Sequence, residues 1–158
     1  MAIERSGTKH FTASILVENR GEFLLLYHDK LRQWLYPGGH VEDNEEPQHA
    51  ALRELEEEAA ISATMLSCQP ASAVSLNIDE QVVAELPMPL SILCERIPDK
   101  GGHHWHIDMI YVGRTDDEQR ERLEERADAK WVSPAAAEEL ACPRELPSLM
   151  RKALTILR

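Results

Sequence analysis

The chain has 158 residues and a formal net charge of −11, and this length suits one domain, residues 1–158, with a sizeable buried core. Such acidity argues against a broad basic surface for long nucleic acids. The N-terminal stretch does not resemble a signal peptide, and no apolar run reaches transmembrane length. We therefore expect a cytoplasmic protein without a membrane partner. Three scattered cysteines are expected to be reduced thiols: Cys68, Cys94 and Cys142.

The first elements in chain order are predicted to form a hairpin. Phe11–Val17 mixes apolar and small residues, as is typical of a strand, and turn residues at Asn19–Gly21 separate it from the apolar strand Glu22–Tyr27. After a polar loop, Trp34–Tyr36 is predicted as a short strand. It enters a tight turn at Pro37–Gly39, where glycine lets the backbone come close to a ligand.

A helix is predicted to begin at Pro47, since proline suits the first helical turn. Glu54, Glu57 and Glu58 then share one patch of helix surface, where like charges repel. A hard divalent cation, Mg²⁺ or Mn²⁺, would remove this repulsion. The alternative is a solvated acidic face. An apolar stripe at helical spacing is predicted to pack the helix onto the core: Ala50, Ala51, Leu52, Leu55 and Ala59.

Shorter elements complete the chain. A short helix is expected from Pro134, and an amphipathic helix over Pro147–Leu157. The alternation of strands and helices predicts an α/β domain. Further strands are predicted at Ile61–Leu66, Ala73–Leu76, Ser91–Ile97, His103–Val112 and Ala129–Ser133.

The strand His103–Val112 places His104, His106 and Asp108 on one face, because side chains alternate along a strand. Three interpretations remain open for these polar residues. They could line a substrate pocket, they could be partly exposed strand residues with local hydrogen bonds, or they could form an independent metal site.

A charged run and three aromatic rings leave similar alternatives. Asp116–Arg126 contains Leu123 as its only apolar residue, which indicates a solvated helix or a mobile loop. The rings of Trp34, Tyr36 and Trp105 are large enough to stack on a nucleotide base, but aromatic side chains also pack in cores.

The glycine turn, the acidic loop and the helix match one spaced pattern. Gly39 is followed after five residues by Glu45, and after seven more by Arg53–Ala59 and then Ile61. This arrangement resembles the signature box of the Nudix hydrolases, G-x5-E-x7-R-E-U-x-E-E-x-G-U, in which U is a bulky aliphatic residue. So many spaced identities are a specific signal. Ala60 replaces the final glycine, at a position where glycine adopts a left-handed conformation easily.

The resemblance implies a Nudix fold, in which a mixed, curved β-sheet lies between α-helices. It implies a Mg²⁺-dependent hydrolase, with Mn²⁺ as a substitute, that cleaves the pyrophosphate linkage of a nucleoside diphosphate joined to another group. Its partner would be a nucleotide-type small molecule, and the interpretation allows a homodimer.

The resemblance also implies roles for residues of the box, the segment Gly39–Ile61. Metal ligands would be the Gly38 carbonyl with Glu54, Glu57 and Glu58, and Arg53 would position these glutamates. A late loop often supplies a further carboxylate as ligand or general base, for which the candidates are Glu118, Glu121, Glu124 and Glu125. The candidates for substrate binding are Trp34, Tyr36, His104, His106 and Asp108.

Two other functions are compatible with parts of the sequence. A non-catalytic nucleotide-binding sensor or regulatory module would use the same cleft, although every glutamate of the box is present. A metal-dependent oxygenase would use His104, His106 and Asp108 as iron ligands, but it leaves the glutamate cluster unexplained.

Overall fold

The computed structural model describes residues 3–158, which form eight strands and four helices. The helices are α1 (Pro47–Ala59), α2 (Asp117–Glu121), α3 (Pro134–Ala137) and α4 (Leu146–Ile156). The strands are β1 (Lys9–Asn19), β2 (Glu22–His28), β3 (Gln33–Leu35), β4 (Gly38–His40), β5 (Thr64–Leu66), β6 (Ser91–Asp99), β7 (Gly102–Arg114) and β8 (Ala129–Val132).

Two long strands, β1 and β7, run parallel at the centre of one mixed sheet. Along its outer edge β1 pairs first with β4 and then with β2, both antiparallel. In the same way β7 pairs antiparallel with β6 along most of its length and with β5 at its end. β3 and β8 complete the sheet by pairing with β2. Each of the two central strands therefore pairs with two further strands in succession along its outer edge.

Alternate residues of β1 enter two cores on opposite faces of the sheet. Ile15 and Val17 pack with the apolar stripe of α1, including Leu55. Leu16 packs on the other face, with Met150 of α4. The sheet thus lies between α1 on one side and α3 with α4 on the other, and the predicted mixed sheet between helices is confirmed.

The helix α1 begins at Pro47, as predicted, and Ala50, Ala51, Leu55 and Ala59 are buried on its inner side. It ends at Ala60, which adopts the left-handed conformation with φ 55° and ψ 33° and donates its N–H to the carbonyl of Glu56. An alanine at a position that favours glycine carries strain there. The C-terminal helix and the first hairpin are also confirmed, with boundaries shifted by a few residues.

Two predictions of local structure were wrong, one of a turn and one of a strand. Pro37–Gly39 is not a tight turn, because Gly38 and Gly39 belong to β4 and pair with Ser14 and Ala13 of β1. Ala73–Leu76 is not a strand, because β5 and β6 already occupy the outer edge of β7 and leave no partner for it. Its apolar side chains are instead exposed. Of the predicted strand Ile61–Leu66, only Thr64–Leu66 pairs with β7.

The charged run is neither a continuous helix nor free of the core. Helical structure is limited to α2, whose N-cap residue Asp116 accepts a hydrogen bond from the backbone N–H of Gln119. Leu123, expected in a solvated segment, is only 2% exposed and packs in the core beneath α1. Among the described residues, the helices are too short and too polar to cross a bilayer.

Candidate active site

Two glycines bring the strand β4 unusually close to β1 and α1. A Cβ atom on Gly39 would lie 2.3 Å from Oε1 of Glu54. One on Gly38 would lie 2.1 Å from Oγ of Ser14 and 2.9 Å from the carbonyl oxygen of Ala13. Gly38 therefore needs the space of a glycine against the backbone of β1, whereas a side chain at Gly39 would require the carboxylate of Glu54 to move. This contact places the carboxylates of α1 beside the backbone of β4.

Arg53 organises the carboxylates at this contact. Its Nε and Nη2 donate to the two carboxylate oxygens of Glu45, at 2.8 and 3.0 Å, and Nη2 also donates to the carbonyl of His40 at 3.0 Å. Its Nη1 lies 3.1 Å from Glu54 Oε1 and 3.3 Å from both oxygens of Glu57. The hydrogen bonds from Arg53 lower the pKa of Glu45. The bidentate pair thus fixes the guanidinium between the acidic loop and α1.

Glu58 faces β4 rather than the arginine. Its Oε1 accepts the backbone N–H of Gly38 at 3.1 Å. Its pKa is raised to about 7, chiefly by partial burial of the carboxyl group and then by the neighbouring carboxylates of Glu54 and Glu57, while the Gly38 hydrogen bond acts to lower it. The contribution of Glu54 and Glu57 reflects mutual repulsion of neighbouring carboxylates, which a divalent cation would relieve. These three carboxylates, which we call the box carboxylates, suit a divalent cation.

A cleft of about 500 Å³ opens beside β4 on the face of the sheet that carries α4. The pairing register of the strands explains which residues line the cleft. Gly38 of β4 pairs with Ser14 of β1, and Thr12 of β1 pairs with His40 of β4 on one side and with Asp108 of β7 on the other. Side chains of paired residues project from the same face. The cleft is lined by Gly38, Gly39, Tyr36, Glu95, His106 and Asp108, among others.

Asp108 forms the floor of this cleft and is only 3% exposed. Its Oδ1 accepts hydrogen bonds from Thr12 Oγ1 at 3.0 Å and from Ser14 Oγ at 2.9 Å. Burial raises its pKa, although these hydroxyl groups and Tyr36 favour the charged form. Glu95, on the neighbouring strand, has its pKa raised to about 7 by burial and then by Asp108 and Glu145. The cleft is therefore lined by three acidic side chains, those of Glu95, Asp108 and Glu145.

The comparison with protein families decides the assignment of the fold. The model of the NUDIX domain matches residues 8–152, nearly the whole chain. The chain belongs to the Nudix family. This result agrees with the box, in which Ala60 remains the one departure from the pattern.

Three similar proteins accompany the family match. An 8-oxo-dGTP diphosphatase from Proteus vulgaris is 58% identical over 31 residues, which are 20% of this chain and only 28% of that protein. The crystal structure of a NUDIX-family hydrolase from Clostridium perfringens has a TM-score of 0.74 and 26% identity, covering 94% of this chain and 98% of that one. The crystal structure of Shewanella oneidensis NrtR complexed with a 27mer DNA has a TM-score of 0.60 and 17% identity, covering 93% of this chain and 61% of that one. The last likeness concerns the fold alone.

The structure separates the aromatic candidates of this Nudix chain. Tyr36 lines the cleft, where burial and nearby acidic groups raise its pKa. Trp34 packs against the core, with the ring of Tyr27 at 5.3 Å and Nζ of Lys130 at 4.8 Å from its ring centre. Trp105 projects from the other face of β7 and donates its Nε1–H to the carbonyl of Ser6 at 2.7 Å.

The late glutamates lie outside the cleft lining. They are exposed, and Glu118 forms an ion pair with Arg122 at 3.0 Å. The segment itself reaches the box, because Arg126 donates from Nη1 to the carbonyl of Glu58 at 3.1 Å. The exposed glutamates of this segment are Glu118, Glu121, Glu124 and Glu125.

Sequence reasoning missed several residues of the cleft. Ser14, His40 and Glu95 line the cleft, and His10 lies beside it against the rings of His40 and His104. No local sequence pattern joins these residues, because they lie on three strands that only the strand pairing brings together. The interpretation of Asp108 as a partner of His104 and His106 in one ligand set also differs from the structure, which groups His10 with the two histidines.

Proposed function

We propose that this Nudix protein is a Mg²⁺-dependent pyrophosphohydrolase that cleaves a nucleoside diphosphate linked to another group. The observation that carries the proposal is the set of three box carboxylates on α1, of which Glu58 and Glu54 lie against the cleft-lining glycines of β4, with Arg53 among them. The family match and the cleft of about 500 Å³ support a small phosphorylated substrate.

The residues present fit a divalent cation of the Mg²⁺ or Mn²⁺ type. Hard cations prefer carboxylate and carbonyl oxygens. Glu58 contacts the backbone of Gly38, and Glu54 lies against Gly39. After burial, the repulsion from Glu54 and Glu57 raises the pKa of Glu58, and a cation would relieve this repulsion. We assign the cation to Glu54, Glu57 and Glu58 with the carbonyl of Gly38. When bound, it would neutralise diphosphate oxygens and make a water molecule more acidic.

Arg53 acts as a positioning residue in this proposal. Its guanidinium contacts Glu45, Glu54 and Glu57 at the same time. A rigid fork that holds several carboxylates reduces the reorganisation needed when a cation and substrate bind. Glu45 shapes the loop through its bidentate pair with Arg53.

The cleft floor supplies groups that can orient the rest of the substrate. Tyr36 presents a ring at the cleft wall, and Asp108, His106 and Glu95 offer acceptors and donors around it. Aromatic stacking combined with a few polar contacts is typical of nucleotide pockets. We assign Tyr36, rather than Trp34, to contact with the base, because both rings pack against the core but Tyr36 lines the cleft and Trp34 does not.

A panel of nucleoside diphosphate derivatives, incubated with Mg²⁺ and resolved by chromatography, tests the proposal. We expect cleavage between the two phosphorus atoms, loss of the reaction in EDTA, and recovery on addition of Mg²⁺. Nucleotide binding without turnover across the panel would favour the sensor or regulatory module instead. Turnover that persists in EDTA would contradict the cation assignment.

The late glutamates give a separate test of the proton acceptor. Replacing Glu118, Glu121, Glu124 and Glu125 together by Gln is expected to change kcat less than about threefold, because among the described residues none of these side chains forms a hydrogen bond or an ion pair with α1 or β4. A loss on the order of 10²-fold or more would assign the acceptor to the late segment, since general acid–base catalysis contributes about that much.

A further inference from the structure

Four of the seven histidines meet beside the cleft, and two of them, His40 and His106, line it. His10 on β1 pairs with His106 on β7, and His40 on β4 pairs with Thr12, two residues after His10. His104 lies two residues before His106, on the same face of β7. The sheet register therefore brings together side chains from three strands. We call His10, His40, His104 and His106 the imidazole cluster.

The ring nitrogens of this cluster approach one another at distances typical of a ligand set. Nε2 of His104 lies 3.1 Å from Nε2 of His106, and Nε2 of His40 lies 3.4 Å from Nδ1 of His10. One nitrogen from each of His10, His104 and His106 lies within 4.8 Å of the others. Two nitrogen ligands of a tetrahedral Zn²⁺ ion are about 3.3 Å apart, given Zn–N bonds of about 2.0–2.1 Å. Small rotations of the exposed His10 ring would close the set.

Asp99 prepares one of these rings for coordination. Its Oδ2 lies 2.8 Å from Nδ1 of His104, so the carboxylate accepts the Nδ1–H and fixes the tautomer. The unprotonated Nε2 of His104 is then directed at His106. A carboxylate behind the second ring nitrogen is the usual support of a metal-binding histidine.

We propose that His10, His104 and His106 form a binding site for a divalent transition-metal ion of the Zn²⁺ type, distinct from the box carboxylates. Imidazole nitrogens suit zinc, copper and nickel, whereas carboxylates suit magnesium and manganese. Three protein ligands leave a fourth position for water or another group. His106 also lines the cleft, so a bound ion would lie at the cleft rim. The site is argued from the cluster geometry and does not depend on the hydrolytic activity.

Zn²⁺ binding by the full chain without a histidine tag, in excess Mg²⁺, tests the site directly. Excess Mg²⁺ occupies hard oxygen sites and isolates the imidazole contribution. We expect one Zn²⁺ per chain, with affinity reduced at least tenfold in His10→Gln and in His106→Gln. Asp99→Asn is expected to weaken binding about tenfold, as loss of a supporting carboxylate does. Co²⁺ in place of Zn²⁺ is expected to give the visible absorption of a low-coordinate nitrogen site.

His103→Gln is the matched control, because His103 lies on the same strand but on the opposite face. It is expected to leave Zn²⁺ affinity unchanged. Absence of Zn²⁺ binding by the unaltered chain, unchanged affinity in His10→Gln, or an equal loss in His103→Gln would each overturn the proposal. His10 is exposed near the start of β1, so its variant remains informative if His106→Gln does not fold. Binding of inorganic phosphate by the cluster in place of Zn²⁺ would also contradict the site.

Discussion

The box carboxylates and the imidazole cluster lie at opposite ends of the strand β4, beside Gly38 and at His40, but they are built in different ways. The box carboxylates lie on one face of α1 and are organised by Arg53. The cluster comes from three strands and is organised by sheet register and by Asp99. Oxygen donors at one end and nitrogen donors at the other prefer different cations. The two ends can therefore be disrupted independently by substitution.

The largest effect is expected from Glu58→Gln. The amide can still accept the Gly38 N–H, so the fold is retained, but the charge of one box carboxylate is lost. We expect kcat/KM to fall on the order of 10³-fold, because a metal centre contributes several kcal/mol to catalysis. Glu56→Gln, an exposed change on the same helix, is the control for Mg²⁺-dependent turnover. Similar activities of the two variants would refute a special role for Glu58.

A smaller loss is expected from Arg53→Lys, which keeps the positive charge but removes the fork that holds Glu45. Because Glu54 and Glu57 would then lose their shared donor, we predict a decrease in kcat of roughly 10–100-fold, as for other supporting residues of metal sites. The half-saturating Mg²⁺ concentration should rise as well. Zn²⁺ affinity at the imidazole cluster should remain unchanged, and a parallel fall in both affinities would show that the two ends are coupled.

Glu95→Gln tests the acidic lining of the cleft through the pH dependence of the free energy of unfolding. The pKa of Glu95 is raised from 4.5 to about 7 in the folded protein. In the unaltered protein, the contribution of this carboxyl group to the free energy of unfolding is therefore fully present below pH 4.5 and is lost as the pH rises through 7. The neutral side chain avoids that loss, so the free energy of unfolding should increase by at most about 3 kcal/mol at pH 8 and much less at pH 5. Thermal unfolding without added cations measures this, and an equal gain at both pH values would contradict it.

The smallest effect is expected at the helix exit. Ala60 has φ 55°, a conformation that costs an L-residue about 1–2 kcal/mol and glycine little. Ala60→Gly should raise the free energy of unfolding by roughly 0.5–1 kcal/mol, or Tm by about 2–4 °C. Ala59→Gly, one residue earlier inside the helix, should lower it instead. A decrease in Tm for Ala60→Gly would show that the backbone of Ala60 is not strained at the end of α1.

Local patterns predicted much of the box and little of the cleft. Helix spacing placed Glu54, Glu57 and Glu58 together, because side chains three and four residues apart share a helix face. The partners of Asp108 depend on which strands pair with β7, and the register of β1 cannot be read from local residue patterns. The role of Gly38 and Gly39 in a strand is hidden from the sequence, because their need for space arises only when Ser14 and Glu54 pack against them. The composition of Ala73–Leu76 favours a strand, but composition carries no information about free sheet edges.

Mn²⁺ binding followed by electron paramagnetic resonance tests the central claim most directly. Bound Mn²⁺ reports cation occupancy without requiring the natural substrate. The box carboxylates should bind Mn²⁺ in the unaltered chain and in His10→Gln, whereas Glu57→Gln should weaken binding at least tenfold. Retention of full Mn²⁺ affinity in Glu57→Gln, or its loss in His10→Gln, would contradict the assignment of the catalytic cation to the carboxylates of α1.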